Sequence, residues 1–470
     1  MKVLYVAAEV SPYIKVGGLG DVAGSLPIAL HRLGVDIRIA VPKYKDFNVV
    51  PKGLKKIGEF HIVFNWKSEK VIVYEAHLPE NRVPVYFFEN ANHISNGGDY
   101  HLVGHPKERT ARFVFFSKAV SEWLRQLADW KPDIIHINDW HPCLIGVLPH
   151  VGKTVISIHN HSSNEFPTMG SLRYMLSYQF SEFPEIIHRR SDKVNLLLNG
   201  VKTANFVNAV SVTYAKEIVH RKFCGKELAD AFFEKDEEGK LTGILNGIDE
   251  KMFDPKNDPS LVRNYSIDDW EKGKAENKKK LLKLCGFEDN SEPLLGFVAR
   301  FTHQKGIDLL LKAMREIRDG FRLVILGTGH EEIMKEVKDA VSKYPKKDAV
   351  FLKFDTDLAS LIYGGADMFL VPSRFEPCGL TQMIAMRYGT VPVVRKTGGL
   401  ADTVIEGENG FVFAEYRVRS LQRAIKRACK AFSNKVIWKK LVEKGMKEDF
   451  SWDKSAKKYL DLYNKVLKEN

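Results

Sequence analysis

Twice along this chain of 470 residues, short apolar runs rich in Val, Ile and Leu alternate with segments of helical period. That alternation constrains the fold more than any other feature, because strands covered on both faces by helices imply βαβ units and mostly parallel sheets. In the first half, residues 2–8, 36–41, 60–64, 71–78, 83–88, 133–137 and 154–159 read as strands, with helical patterns over 21–33 and 108–127. A charged stretch of weak pattern, 257–280, separates them from a second series. Its strands at 294–299, 322–326, 349–354, 367–371 and 391–394 alternate with helical patterns at 306–317, 331–342, 358–363 and 380–388. One core stops growing near about 250–300 residues. Two series therefore predict two doubly wound α/β domains, 1–246 and 293–450, with a boundary or linker over 247–292. An amphipathic helix at 452–467, within the tail 451–470, could lie on either domain.

Composition narrows the function classes. Apolar residues make up 44% and charged residues 28%, a globular balance. No run approaches the roughly 18 apolar residues of a membrane helix. The N-terminus turns charged at Glu9 after six apolar or aromatic residues, too short for a signal-peptide core. Five widely spaced cysteines with no CxxC pair imply a reduced, cytoplasmic protein. The net charge is +12 and the pI near 9.2, so polyanions have to be considered. The excess is mostly lysine on helix-like segments such as 272–283 and 435–447, without zinc-finger spacing or an RNA-binding aromatic signature. Solvated faces and a bias toward small phosphorylated molecules are expected, with no nucleic acid and no membrane partner.

Open α/β sheets bind ligands beyond the carboxyl ends of their strands, and two facing sheets predict a cleft between them. The polar motifs cluster in such loops. Lys15-Val16-Gly17-Gly18-Leu19-Gly20-Asp21-Val22 lies between the first strand and the first helix, where glycines let an anion approach the backbone and Lys15 adds a charge. Gly18 to Ala23 also fits the GxGxxA dinucleotide pattern, but its distance from the strand and the Pro42 end of the second strand argue against nicotinamide binding. A purely structural loop is the plain alternative. Four histidines, His136, His141, His159 and His161, stand near two strand ends. They match no familiar zinc spacing, and hydrogen-bonded histidines or contacts to a polyhydroxylated substrate suit them better than a metal.

In the second half, Arg300 and Lys305 bracket a strand–helix loop and could aim two cations at one diphosphate, or simply line an exposed loop. Glu376 sits in Pro372-Ser373-Arg374-Phe375-Glu376-Pro377-Cys378-Gly379-Leu380-Thr381, whose last residues open a helix with unpaired amides. Cys378 beside that helix start reads as a nucleophile or, more simply, a packed thiol. Thr397-Gly398-Gly399-Leu400-Ala401-Asp402 repeats the glycine theme one strand later.

Residues 15–22, 136–141, 243–249, 300–308, 372–381 and 397–404 together resemble, in order and over essentially the whole chain, the signatures of bacterial glycogen/starch synthases. The resemblance implies the GT-B fold, two facing Rossmann-like domains, with the last helix crossing back to the first. It implies retaining transfer of glucose from ADP-glucose to the non-reducing end of an α-1,4-glucan, with no metal or other cofactor. By the same resemblance Arg300, Lys305, Glu376 and His159 are the catalytic set. Lys15, Gly17, Gly18, Asn246, Phe354, Cys378, Gly379, Leu380 and Thr381 bind the nucleotide sugar, with Phe354 against the adenine. Glu9, Asp21, Asp139 and His161 lie on the acceptor side. Two departures stand out: Val16 where the family commonly has Thr, and the polar run 161–165 where apolar and aromatic residues usually follow the HN pair. Another GT-B sugar-nucleotide enzyme, acting on a small acceptor or as an epimerase, and a non-catalytic carbohydrate-binding regulator are the rival readings.

Overall fold

Residues 2–6 form a strand buried on both faces from Val3 onward, as a central strand between helical layers must be. In this computed structural model, which describes residues 1–79, 83–96, 106–126, 130–147, 152–162, 165–177 and 192–469, that strand is β1 (Lys2–Val6). It is followed by β2 (Asp36–Pro42), β3 (Lys55–Phe64), β4 (Lys67–His77), β5 (Pro84–Glu89), β6 (Ile134–Asn138), β7 (Lys153–Ile158), β8 (Phe206–Ala209) and β9 (Leu241–Gly243). Among the described residues these nine form one sheet in the order β3-β4-β5-β2-β1-β6-β7-β8-β9. Pairing is parallel from β5 to β9, and β3 and β4 add an antiparallel hairpin at one edge. The strand order reverses between β1 and β6, which makes their carboxyl ends the expected ligand position.

This first unit comprises Met1–Gly247 together with Trp452–Asn470. Helix Trp452–Lys468 is tied to it through buried polar contacts. Tyr463 Oη lies 2.6 Å from His136 Nδ1, His136 Nε2 lies 2.7 Å from Ser157 Oγ, and Asn208 Nδ2 donates to Tyr459 Oη at 2.9 Å. His136, one of the four motif histidines, is thereby a packing residue. Burial, reinforced by His159, pushes its pKa down to about 3, so the ring is neutral.

The second unit, Ile248–Ser451, holds β10 (Leu294–Val298), β11 (Arg322–Leu326), β12 (Asp348–Phe351), β13 (Met368–Val371), β14 (Val391–Arg395) and β15 (Phe411–Phe413). All pairs are parallel, in the order β12-β11-β10-β13-β14-β15. This is the doubly wound 3-2-1-4-5-6 arrangement, with its switch point between β10 and β13.

The segment 247–292, expected as a linker, is instead part of this second unit from Ile248 onward. Helix Trp270–Cys285 packs along helix Thr356–Gly365. Its buried face is Trp270, Gly273, Lys274, Asn277, Leu281 and Leu282, so half of a regular helical stripe is polar or glycine and escapes a hydrophobicity reading. Lys274 is buried with its ammonium donating to Thr390 Oγ1 at 2.6 Å and to the carbonyls of Gly364 and Tyr388 at 3.2 Å. Gly273 lies against the Tyr265 ring, where a Cβ would come within 2.4 Å. A second correction concerns β12, which ends at Phe351 rather than 354. No helix among the described residues is long and apolar enough to cross a membrane.

Candidate active site

The second unit gathers its polar residues at the β10/β13 switch point. Gly306 has φ 71°, and a Cβ there would stand 2.0 Å from Pro372 O, so glycine is what lets the loops after β10 and β13 touch. Arg374 N donates to Gln304 O at 2.8 Å, and Gln304 Nε2 donates to Phe375 O at 3.3 Å. Arg374 pairs with Asp308 at 2.7 Å, a carboxylate that also accepts from Tyr416 Oη at 2.6 Å. From β14 a third loop arrives: Gly399 N donates to Glu376 O at 3.1 Å, and any Cβ on Gly398 would lie 1.9 Å from that oxygen. Three loops therefore converge on Glu376.

The Glu376 side chain is only 7% exposed and is satisfied by charge and hydrogen bonding together. Lys305 Nζ reaches Oε1 at 2.9 Å and Oε2 at 2.7 Å, and Ser373 Oγ donates to Oε2 at 2.9 Å. A carboxylate has about four lone-pair positions. Three are occupied, which leaves an accepting position on Oε1. Arg300 stands exposed at the start of the same loop as Lys305. Beyond Glu376, Cys378 is a buried thiol, and Gly379 turns the chain at φ 74° so that Leu380 and Thr381 open helix Thr381–Arg387. Phe354 follows β12 in a short loop and is 81% exposed, which removes it from the core. Ser373 carries no sequence signal of this role beyond its position three residues before Glu376.

In the first unit, the carboxyl end of β1 leads to Glu9, buried, whose Oε2 accepts from Val16 N at 2.5 Å and Gly17 N at 2.9 Å. Glu9 thus staples the glycine loop, and the Gly17 amide, expected to face an anion, is taken by it. Gly18 remains exposed at the start of helix Gly18–Arg32. Lys15 pairs with Asp21 at 2.7 Å, and its amide donates to Asn48 Oδ1 at 2.6 Å. This places Asp21 beside the cation of the loop.

On the other side of the switch point, Asp139 adopts φ 57° directly after β6. Its Oδ1 accepts from the amides of His159 at 2.6 Å and Asn160 at 3.2 Å. Burial outweighs those bonds and, with the nearby Glu9 charge, pushes its pKa up to about 7. His159 Nε2 lies 3.0 Å from Asn138 Oδ1, and burial holds the ring neutral with a pKa near 3. Asn138, inside the strand, carries no local sequence signal of this contact. His161, expected on the acceptor side, is buried with Nδ1 2.8 Å from Tyr214 Oη and a backbone hydrogen bond to Phe223, its pKa down to about 4 through burial. Residues 163 and 164 of the polar run lie outside the described residues, while Glu165 pairs with Arg109 at 2.8 Å. Asn246 follows β9 as a buried amide whose Oδ1 finds no hydrogen-bond partner among the described residues. Among the described residues no three His, Cys, Asp or Glu side chains group as a metal-holding cluster.

Residues 2–233 match the family described as starch synthase catalytic domain, and residues 286–439 match glycosyl transferases group 1. The chain is 37% identical to a glycogen synthase of Clostridium novyi over 99% of both chains. It is 38% identical to a glycogen synthase of Thermosipho melanesiensis, again over 99% of both. Among solved structures it resembles the catalytic domain of starch synthase IV from Arabidopsis thaliana bound to ADP and acarbose, with a TM-score of 0.89, 32% identity and 99% of each chain covered.

Proposed function

Because this chain belongs to the glycogen/starch synthase family of GT-B glycosyltransferases, we propose that it transfers glucose from ADP-glucose, with retention, to the non-reducing end of an α-1,4-glucan. One observation carries the reading: a buried carboxylate, Glu376, held by Lys305 and Ser373 at the switch point of the second unit, with Arg300 exposed at the start of the loop that carries Lys305. A site that only bound glucan would need no such pairing of cations with an oriented carboxylate.

In the proposed reaction the acceptor hydroxyl oxygen forms the new bond to the anomeric carbon on the face from which the diphosphate oxygen leaves. The leaving oxygen takes the acceptor proton, so no protein carboxylate forms a covalent intermediate. The chain's own task is electrostatic. Arg300 and Lys305 stabilise the charge that grows on the diphosphate, a contribution of about 10²–10³ in rate for each such group. Lys15 and the amides of Gly18, Gly379, Leu380 and Thr381 add donors, Gly17 fixes the loop through its bond to Glu9, and a buried Cys378 shapes the turn that presents the last three. Glu376 Oε1 accepts from a glucose hydroxyl, while neutral His159 and Asn246 contact the sugar. Asp139 serves the acceptor side, with Glu9 and Asp21 positioning the loop. The cations supply the charge neutralisation, and the proposed reaction takes no metal or other cofactor.

ADP-glucose is the preferred donor in this reading. The exposed ring of Phe354 supports it, since stacking rewards the larger face of adenine over uracil; the related Arabidopsis enzyme is described with ADP bound. Five unbridged cysteines fit a place in the reducing cytoplasm. The test is glucose incorporation into glycogen from a panel of nucleotide-glucoses. Highest kcat/KM with ADP-glucose, and measurable use of UDP-glucose, is expected. Transfer only to small acceptors would replace the polymerase reading by a small-acceptor one.

A further inference from the structure

The edge hairpin of the first unit ends in a feature the reaction above does not use. Its two-residue turn is Asn65-Trp66, with φ 53° and 61°. Such turns ordinarily carry glycine at the second position, because a bulky side chain at positive φ is strained. Here the position holds a tryptophan, and its side chain is not buried in return: Trp66 is 62% exposed. A second ring, Tyr174, is 56% exposed near the end of helix Met169–Leu176. One hydroxyl joins the two residues: Ser177 Oγ accepts from Trp66 N at 2.9 Å and donates to Tyr174 O at 3.4 Å. Asn65 N also donates to Met175 O at 3.3 Å, and the buried Lys118 ammonium bridges the carbonyls of Val63 and Leu176. The hairpin end is therefore clamped to the helix end, and both rings are displayed on a rigid support.

Topology sets where they stand. β3 is antiparallel to β4, and β4 to β5, so β3 runs in the direction of β1 and its turn lies at the carboxyl edge of the sheet. Glu59 is opposite Ile72, which is opposite Glu89, the last residue of β5. The five residues that follow Glu59 carry β3 beyond that end by about 17 Å, at roughly 3.4 Å per residue. The rings thus share an edge with the Glu9 loop, Asp139 and His159, four strands from β1, or about 19 Å at 4.8 Å per strand.

We propose that Trp66 and Tyr174 form a second, non-catalytic binding platform for α-glucan, an inference that rests on the glucan reading of the preceding section. The chemistry is that of aromatic faces against the C–H faces of glucose rings, with the indole N–H and phenol O–H as hydrogen-bond partners for hydroxyls. A long polymer can be held there while its end reaches the reaction site on the same edge; a two- or three-unit acceptor is too short to span both. The platform therefore acts on polymer capture and leaves a short acceptor unaffected.

The test uses Trp66→Gly and Tyr174→Ala in the full chain. Trp66→Gly restores the residue that the turn geometry prefers, so the hairpin keeps its fold. Affinity electrophoresis through glycogen without donor reads binding whether or not transfer occurs, which separates this inference from the activity it rests on. Each variant is expected to bind glycogen about tenfold more weakly, and the ratio of glycogen KM to maltotriose KM to rise by the same factor. Unchanged glycogen binding by folded Trp66→Gly overturns the proposal. So does an equal rise in KM for both acceptors, which would assign the rings to the reaction site itself.

Discussion

Replacing Asp139 by Asn removes a titration that the structure makes large. In the unfolded chain this carboxyl ionises near 3.8, whereas burial and the Glu9 charge raise it to about 7 in the fold, against the pull of two backbone amides. Between those values the folded protein holds a proton that the unfolded chain has released. Its stability therefore falls as pH rises from about 4 to about 7 and levels off above. At about 1.4 kcal/mol per pH unit the loss amounts to about 4 kcal/mol. Asn keeps an oxygen to accept from the His159 and Asn160 amides and has no charge to desolvate. The neighbouring histidines titrate in both proteins and cancel in the difference. The assay is the thermal midpoint of Asp139→Asn minus that of the wild type, from pH 4 to pH 8 in one buffer series. The difference should be near zero at pH 4 and grow to the order of 10 °C in favour of the variant by pH 7.5. A difference independent of pH, or one that favours the wild type more as pH rises, would refute the claim that burial outweighs hydrogen bonding at this carboxyl.

Arg300→Ala and Lys305→Ala should each lower kcat by about 10²–10³ with glycogen affinity unchanged, read from steady-state kinetics and donor-free binding. Phe354→Ala should raise KM for ADP-glucose more than for UDP-glucose and leave both kcat and the thermal midpoint intact, since the ring is 81% exposed. Gly306→Ala puts a Cβ 2.0 Å from Pro372 O at a φ of 71° and should lower the thermal midpoint and activity together, the stability cost being about 3 kcal/mol or more.

The doubly wound character of both units was legible because parallel strands are buried on both faces and read as continuous apolar runs, β1 and β11 most plainly. The loops that hold the site were legible for the same reason: Lys305 and Glu376 follow strands that the sequence marks well. What could not be read were partners set by tertiary packing. Nothing local says that Glu9 turns inward to hold the amides of Val16 and Gly17, or that His136 serves Tyr463 on a helix more than 300 residues away. His161 looks like its neighbour His159 in sequence, yet Tyr214 holds it while Asn138 meets His159. Helix Trp270–Cys285 was hidden because its buried stripe includes Lys274 and Asn277, polar groups whose bonds are supplied by other segments. Phe354 could be placed only loosely, since propensity alone does not end β12 at Phe351.

Retaining transfer from ADP-glucose to a glucan end is proposed to rest on Arg300, Lys305 and Glu376. The most direct measurement is NMR of the bond formed when ADP-glucose labelled with carbon-13 at the anomeric carbon is incubated with a malto-oligosaccharide. A labelled α-1,4-linked glucose at the non-reducing end is expected, formed by the wild type and reduced by about 10²–10³ in initial rate with Lys305→Ala. A labelled β-linkage, or release of labelled free glucose with no chain extension, would contradict it.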